Sequence, residues 1–177
     1  KDRKKLFKVL AKKSNNKEEK NWLKWKFKEY KIKNFDISEL KIRMDIIPVS
    51  LAIAQAAIES GWGTSRFALE GNALYGQWTW SDNGLKPLDN EDGDHKVMQF
   101  KILTASIKAY KKNLNTHSGY MEFREARANL RNRNEKVTGL KLTQYLDKYA
   151  ATGKEYTKKL ELTIKKNSLS DFENAKL

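Results

Sequence analysis

Apolar side chains recur along this chain with helical spacing at both ends and lose that spacing in the middle. Leu6, Phe7, Val9 and Leu10 predict a short amphipathic helix that stops near Ser14-Asn15-Asn16. Leu23, Phe27 and Tyr30, at i, i+4 and i+7 with Trp22 beside them, predict a second helix from Lys17 to Ile32. Residues Ser38 to Met44 predict a short helix or turn. Pro48 can open the next helix, because its missing N–H is one the first turn leaves unpaired anyway. From Val49 to Ile58 nearly every side chain is apolar, so this helix is expected to run through a core with no wet face. Helical spacing returns over 104–115, about 119–132, about 140–148 and 153–167, with Gly119, Gly139 and Gly153 as punctuation. The tail after Asn167 is expected to fray.

Residues 61–100 hold six of the nine glycines, and periodicity of 3.6 disappears there. The stretches 76–80 and 95–100 alternate well enough to be two strands, separated by the turn-rich, polar run 81–94. A mainly α fold with a small β-hairpin lobe follows. At 177 residues the length prior gives one domain with a sizeable core. Within it, residues 1–35 read as a basic helical arm packed on the core through Trp22, Leu23, Trp25 and Phe27, residues 36–167 as the main body, and residues 168–177 as a flexible tail.

Glu59 closes the apolar helix, and Ser60-Gly61-Trp62-Gly63 follow at once, with glycines that stop it. A carboxylate there lies at the negative end of the helix dipole, in poor contact with water. Both effects disfavour its charge and raise its pKa. A carboxyl group kept protonated near neutral pH is what general acid catalysis needs. A glutamate at a helix end can also reach solvent or pair with a lysine, and the residues alone leave both readings open.

The run Pro48 to Phe67, followed by Gly71-Asn72-Ala73-Leu74-Tyr75-Gly76, then Asn113-Leu114-Asn115-Thr116-His117 and Tyr149-Ala150-Ala151-Thr152-Gly153-Lys154-Glu155-Tyr156, resembles the Bax-like glucosaminidase proteins in four ordered blocks. These are relatives of glycoside hydrolase family seventy-three, within the wider lysozyme-like group. The similarity covers about Asp36 to Leu160, and the N-terminal helices more loosely. It implies a lysozyme-like helical domain with the β-lobe beside an active-site groove. It also implies a β-N-acetylglucosaminidase that cuts bacterial peptidoglycan, with Glu59 as its acid.

Glycoside hydrolysis by the usual route needs a second group opposite the acid. In the family that this chain resembles, an acidic residue from such a lobe faces the first across a groove. The acid-rich run offers Asp89, Glu91, Asp92 and Asp94, with Glu91 and Asp94 singled out. The loop departs from any fixed pattern, so no one acid is assigned, and the substrate's own N-acetyl group is a further route. Trp62, Tyr75, Trp78 and Trp80 form an aromatic series around the acid, of the kind that packs on the C–H faces of sugars. Each could equally be core. Tyr149 matches the family's motif tyrosine, whose hydroxyl is placed to hold the N-acetyl group or a water.

No cysteine is present, which excludes disulfides, thiolate zinc sites and thiol nucleophiles. His95 and His117 have no ligand spacing, and neither a phosphate loop nor a serine elbow occurs. No metal or cofactor is therefore expected, and His117 reads as a structural residue at a helix end. Of the net charge of +14, residues 1–33 carry +10 through fourteen lysines and arginines against four acids. Such a field suits an anionic wall polymer or membrane surface, or is simply a solvated face. Nucleic acid is disfavoured because no reader motif accompanies the charge. The expected partner is a peptidoglycan glycan strand, engaged by a monomer. The chain begins Lys1-Asp2-Arg3 without Met, so a signal upstream and an extracytoplasmic place are expected. A lytic transglycosylase or muramidase of the same fold is the enzymatic alternative, and a non-catalytic wall-binding module the alternative of another class.

Overall fold

The computed structural model describes residues 2–79, 84–86 and 96–175. In chain order its helices are α1 (Asp2–Leu10), α2 (Lys17–Glu29), α3 (Ile37–Arg43), α4 (Val49–Ser60) and α5 (Arg66–Gly71). The short strands β1 (Trp78–Thr79), β2 (Gly84–Leu85) and β3 (Lys96–Met98) come next. The chain then forms α6 (Leu103–Thr116), α7 (Met121–Asn132), α8 (Gly139–Leu142) and α9 (Lys154–Lys166), with 3₁₀ turns at Ser118–Tyr120, Thr143–Tyr149 and Leu169–Asn174. A mainly α chain with a small antiparallel sheet is what the lysozyme-like class requires. Two compact units result, Lys1–Ile46 with Lys112–Lys136, and Ile47–Lys111 with Val137–Leu177.

In the first unit, Asn16 starts α2 with a capping box: its side chain accepts from the Glu19 N–H, and the Glu19 carboxylate accepts from the Asn16 N–H. The helix ends at Glu29 rather than Ile32, because Lys31 takes a left-handed φ of +54°. Helices this short are marginal alone and need a shared core. Leu6, Phe27, Tyr30, Leu40 and Met44 supply it, with Leu10, Trp22, Leu23 and Ile32 packed around them. Thus Trp22, Leu23 and Phe27 belong to a core that the arm builds with residues up to Met44, and the compact unit passes the expected border at residue 35. Trp25 remains exposed, with the Lys26 ammonium 4.2 Å from its ring centre. Asp45 is buried against Arg131 and Arg3, while Arg127 donates to the carbonyls of Ile42 and Ile46.

In the second unit α4 is the hub, packing on α8, α9 and the Leu169–Asn174 turn. No residue of α4 is exposed, as its apolar run predicts. Pro48 is its N-cap, with extended ψ of 139°, rather than its first helical residue. Gly61 ends it in the left-handed conformation at φ 57°. The hairpin expected from 76–80 and 95–100 is a three-stranded antiparallel sheet in the order β1-β3-β2, with Trp78 and Leu85 flanking Val97. The extra strand, β2, depends on Gly84, where a Cβ would come within 2.6 Å of the Lys96 Cβ and 2.9 Å of Thr79 Cγ2. Over the described residues after Asn167 the chain is ordered by packing and hydrogen bonds. Leu169 is buried, and one oxygen of the Glu173 carboxylate accepts from the Ser50 hydroxyl at 2.5 Å and the Gly139 N–H at 2.6 Å. Among the described residues no helix is long and apolar enough to cross a membrane.

Candidate active site

Glu59 sits one residue before the end of α4, partly buried. Burial raises its carboxyl pKa above the ordinary value, against a hydrogen bond from the Tyr156 side chain and the positive charge of Lys159, which lower it. Gly76 passes over the carboxyl at a φ of +56°, so close that a Cβ there would stand 3.1 Å from Glu59 Oε2. The turn after Glu59 is firmly held. The Ser60 hydroxyl accepts from the Gly63 N–H at 2.8 Å and donates to the Ala56 carbonyl, while the Trp62 N–H donates to the Ala57 carbonyl at 2.7 Å. These bonds hold Trp62 at a φ of +58°, a conformation that costs a non-glycine residue roughly 1–3 kcal/mol. Trp62, three residues after the acid in the chain, is 62% exposed.

Behind Glu59, four tyrosines and one glutamine close a circuit. Gln55, one turn before Glu59 on the same helix face, is fully buried. Its Nε2 donates to the Tyr156 hydroxyl at 2.9 Å, and its Oε1 accepts from the Tyr110 hydroxyl at 2.7 Å. The Tyr110 ring stacks on Tyr75 with centroids 3.9 Å apart. Tyr149 donates to the Tyr75 carbonyl at 2.9 Å and stacks on Tyr156 at 5.6 Å. The circuit thus returns to its start, with every member in the second unit.

The expected site residues divide accordingly. Glu59 and Tyr149 come together around Tyr156 and the Tyr75-Gly76 backbone, and the Tyr149 hydroxyl is engaged with a carbonyl. Trp62 and Trp78 are exposed, at 62% and 50%. Tyr75 is a correction: it is 4% exposed and stacked on Tyr110, so it offers no face to a sugar, and burial pushes its hydroxyl pKa up to about 12. Trp80, Asp89, Glu91, Asp92, Asp94 and His95 lie outside the described residues. His117 caps the Ser118–Tyr120 turn, its Nδ1 accepting from the Gly119 N–H, in keeping with a structural role. Among the described residues, no three His, Cys, Asp or Glu side chains are grouped as metal ligands would be.

Gln55, Tyr110, Tyr156 and Gly76 were not singled out from the sequence. A signal existed for Gln55, a lone amide in an apolar run four residues before the acid. Tyr156 ends the block that begins at Tyr149 but carries no local mark of a link to Glu59.

No solved structure matches the chain. Protein bax of Escherichia coli (strain K12) is 40% identical over 115 residues, which cover 64% of this chain and 40% of that protein, so the chain spans less than half of its relative's length. Residues 36–169 match the glucosaminidase family, described as mannosyl-glycoprotein endo-beta-N-acetylglucosaminidase. With three quarters of its residues inside that match, and all of the Glu59 circuit among them, the chain belongs to the glucosaminidase family.

Proposed function

We propose that this protein hydrolyses β-1,4 bonds of N-acetylglucosamine in bacterial peptidoglycan, with Glu59 as general acid, and that it works outside the cytoplasm where such a substrate lies. The observation that carries this reading is the Glu59 carboxyl itself, raised in pKa by burial at the C-terminal end of a core helix and covered closely by the Gly76 backbone. A protonated carboxyl can hand its proton to the departing glycosidic oxygen as an oxocarbenium-like centre develops. Trp62 and Trp78 supply exposed rings for sugar faces. The second group is Glu91 or Asp94, or the substrate's own N-acetyl group.

Digestion of purified peptidoglycan, with mass spectrometry of the new reducing ends, tests the reading. Reducing N-acetylglucosamine ends from wild type and none from Glu59→Gln support it. Reducing muramic ends or anhydro-sugars assign the chain instead to the muramidases or lytic transglycosylases. Binding without any cleavage makes it a wall-binding module.

A further inference from the structure

We infer that Gln55 and Tyr110 are positioning residues that aim the Tyr156 hydroxyl at Glu59, leaving the acid's own proton free for the substrate. The inference rests on the reading of Glu59 as the acid, and its geometry is independent of which glycan is cut.

The direction of each hydrogen bond follows from elementary chemistry. An ionised Glu59 can only accept, so Tyr156 must be the donor between them. In its bond with Gln55 the Tyr156 oxygen then accepts, and of the two ends of the amide the NH₂ is the one that can donate. The amide oxygen is thereby turned to Tyr110, which donates to it at 2.7 Å. Tyr110 is 1% exposed and its ring is stacked on Tyr75, so its hydroxyl cannot swing to solvent. Its donation pins the amide, and the amide pins the phenol.

The pinned direction matters most once Glu59 takes up its proton. A protonated carboxyl beside an unconstrained phenol can donate to it, which would bury the catalytic proton inside the protein. A phenol already committed as donor blocks that arrangement and leaves the proton on the carboxyl oxygen that Tyr156 does not occupy. Without the Tyr110 hydroxyl, the Gln55 oxygen is a buried acceptor with no donor. It is better satisfied by turning round and taking the Tyr156 proton for itself. Glu59 then loses a donor that stabilises its charge, and its pKa rises.

Among the described residues, the groups that face Glu59 are Tyr156 and Lys159 from α9, with Tyr149 and the Tyr75-Gly76 backbone beside them. Glu173 is engaged at Ser50, nine residues back, or roughly 13 Å along α4 at 1.5 Å per residue. On α8, Lys141 is exposed. Neither changes when Tyr110 loses its oxygen.

The test is a carbon-detected NMR titration of the Glu59 carboxyl in the full chain, for wild type, Tyr110→Phe, Tyr156→Phe and the double variant. Tyr110→Phe keeps the stacked ring and should move the Glu59 midpoint upward, carrying the alkaline limb of cleavage with it and lowering kcat more than it changes KM. In the Tyr156→Phe background the same substitution should add nothing, since Tyr110 acts through Tyr156. In wild type above the Glu59 midpoint, the Gln55 amide protons should show contacts to the Tyr156 ring. A Glu59 midpoint unmoved by Tyr110→Phe, a shift that persists in the Tyr156→Phe background, or amide contacts to Tyr110 instead would each overturn the relay. Wild-type cleavage by Glu59→Gln would overturn the acid reading alone, because the titration does not depend on activity.

Discussion

Gly76 and Glu59 are so close that the smallest side chain at residue 76 would stand 3.1 Å from Glu59 Oε2. The backbone there also has a φ of +56°, which a Cβ disfavours. Gly76→Ala should therefore lose stability through strain and activity through the displaced carboxyl. Gly153→Ala is the control, since it has a similar φ of +55° with no atom closer than 4.0 Å. The expected outcome is a stability loss of about 1–3 kcal/mol of strain in both, read as a lowered Tm, and a loss of glycan cleavage of tenfold or more in Gly76→Ala only. Equal activities in the two variants would mean that the carboxyl does not need its close cover.

Glu59→Gln should leave the fold intact and change its pH dependence. Burial raises the folded-state pKa of Glu59, so the native chain holds this proton more tightly than the unfolded chain does. The contribution is favourable below the model-peptide value of 4.5 and is lost as pH rises through the folded pKa. Gln removes the titration, so the variant should match or exceed wild type in Tm at neutral pH. The difference should change only across that acid window. Wild-type cleavage should fall on the alkaline side, where Glu59 has lost its proton. A Tm deficit for Glu59→Gln at pH 7 would contradict the burial account.

The exposed and buried aromatics should respond oppositely. Trp62→Ala and Trp78→Ala remove rings that are half or more exposed and should raise KM for long glycans with little change in Tm. Tyr75→Ala opens a cavity beside Tyr110 and should cost about 3 kcal/mol or more. Thermal melts run alongside glycan-length-dependent kinetics separate the two classes.

Single replacements at Glu91 and Asp94 by their amides should be unequal, because only one carboxylate can take the place opposite Glu59. The partner acid should lose activity by orders of magnitude, and the other should be near neutral. If both are silent in the peptidoglycan digest, the N-acetyl route is favoured.

The basic arm should govern adsorption rather than bond cleavage. Lys4, Lys8, Lys13 and Lys20 are exposed, whereas Lys12 pairs with Glu19 and Lys5 lies 4.7 Å from the Trp22 ring centre. Changing the first four to Gln should weaken sedimentation with whole peptidoglycan at low salt and leave cleavage of short soluble glycans unchanged. Screening over about 8 Å at physiological ionic strength confines the field to surfaces the arm nearly touches. Undiminished sedimentation would make the arm a solvated face only.

What the sequence made legible was local. Glu59 could be found because an apolar run, a carboxylate and a glycine stop are adjacent in the chain. The helix boundary near Asn16 and the stop at Gly61 could be placed for the same reason. Tyr110 could not, since Lys108 and Lys111 around it read as an ordinary amphipathic helix, and its partner Gln55 lies 55 residues away. Tyr75 looked like a sugar platform because its motif says nothing of the ring stacked over it. Strand β2 is two residues in a turn-rich stretch, too short for any period to show. The turn at Leu169–Asn174 is likewise held by distant contacts, to Ser50 and Gly139, that no spacing announces.

That last turn bears on how the molecule can be shortened. The family match stops at residue 169, yet Glu173 beyond it clasps Ser50, in the first turn of α4, to the N–H that opens α8. A fragment trimmed to the matched residues would keep every member of the Glu59 circuit and discard the clasp on the helix that carries the acid. It would also begin at residue 36, separating Leu40 and Met44 from Leu6, Phe27 and Tyr30. Homology would place the scissors inside two closed pieces of packing, and a protease that nicks the chain after Ser168 would release the N-terminal turn of α4 nine residues from the acid.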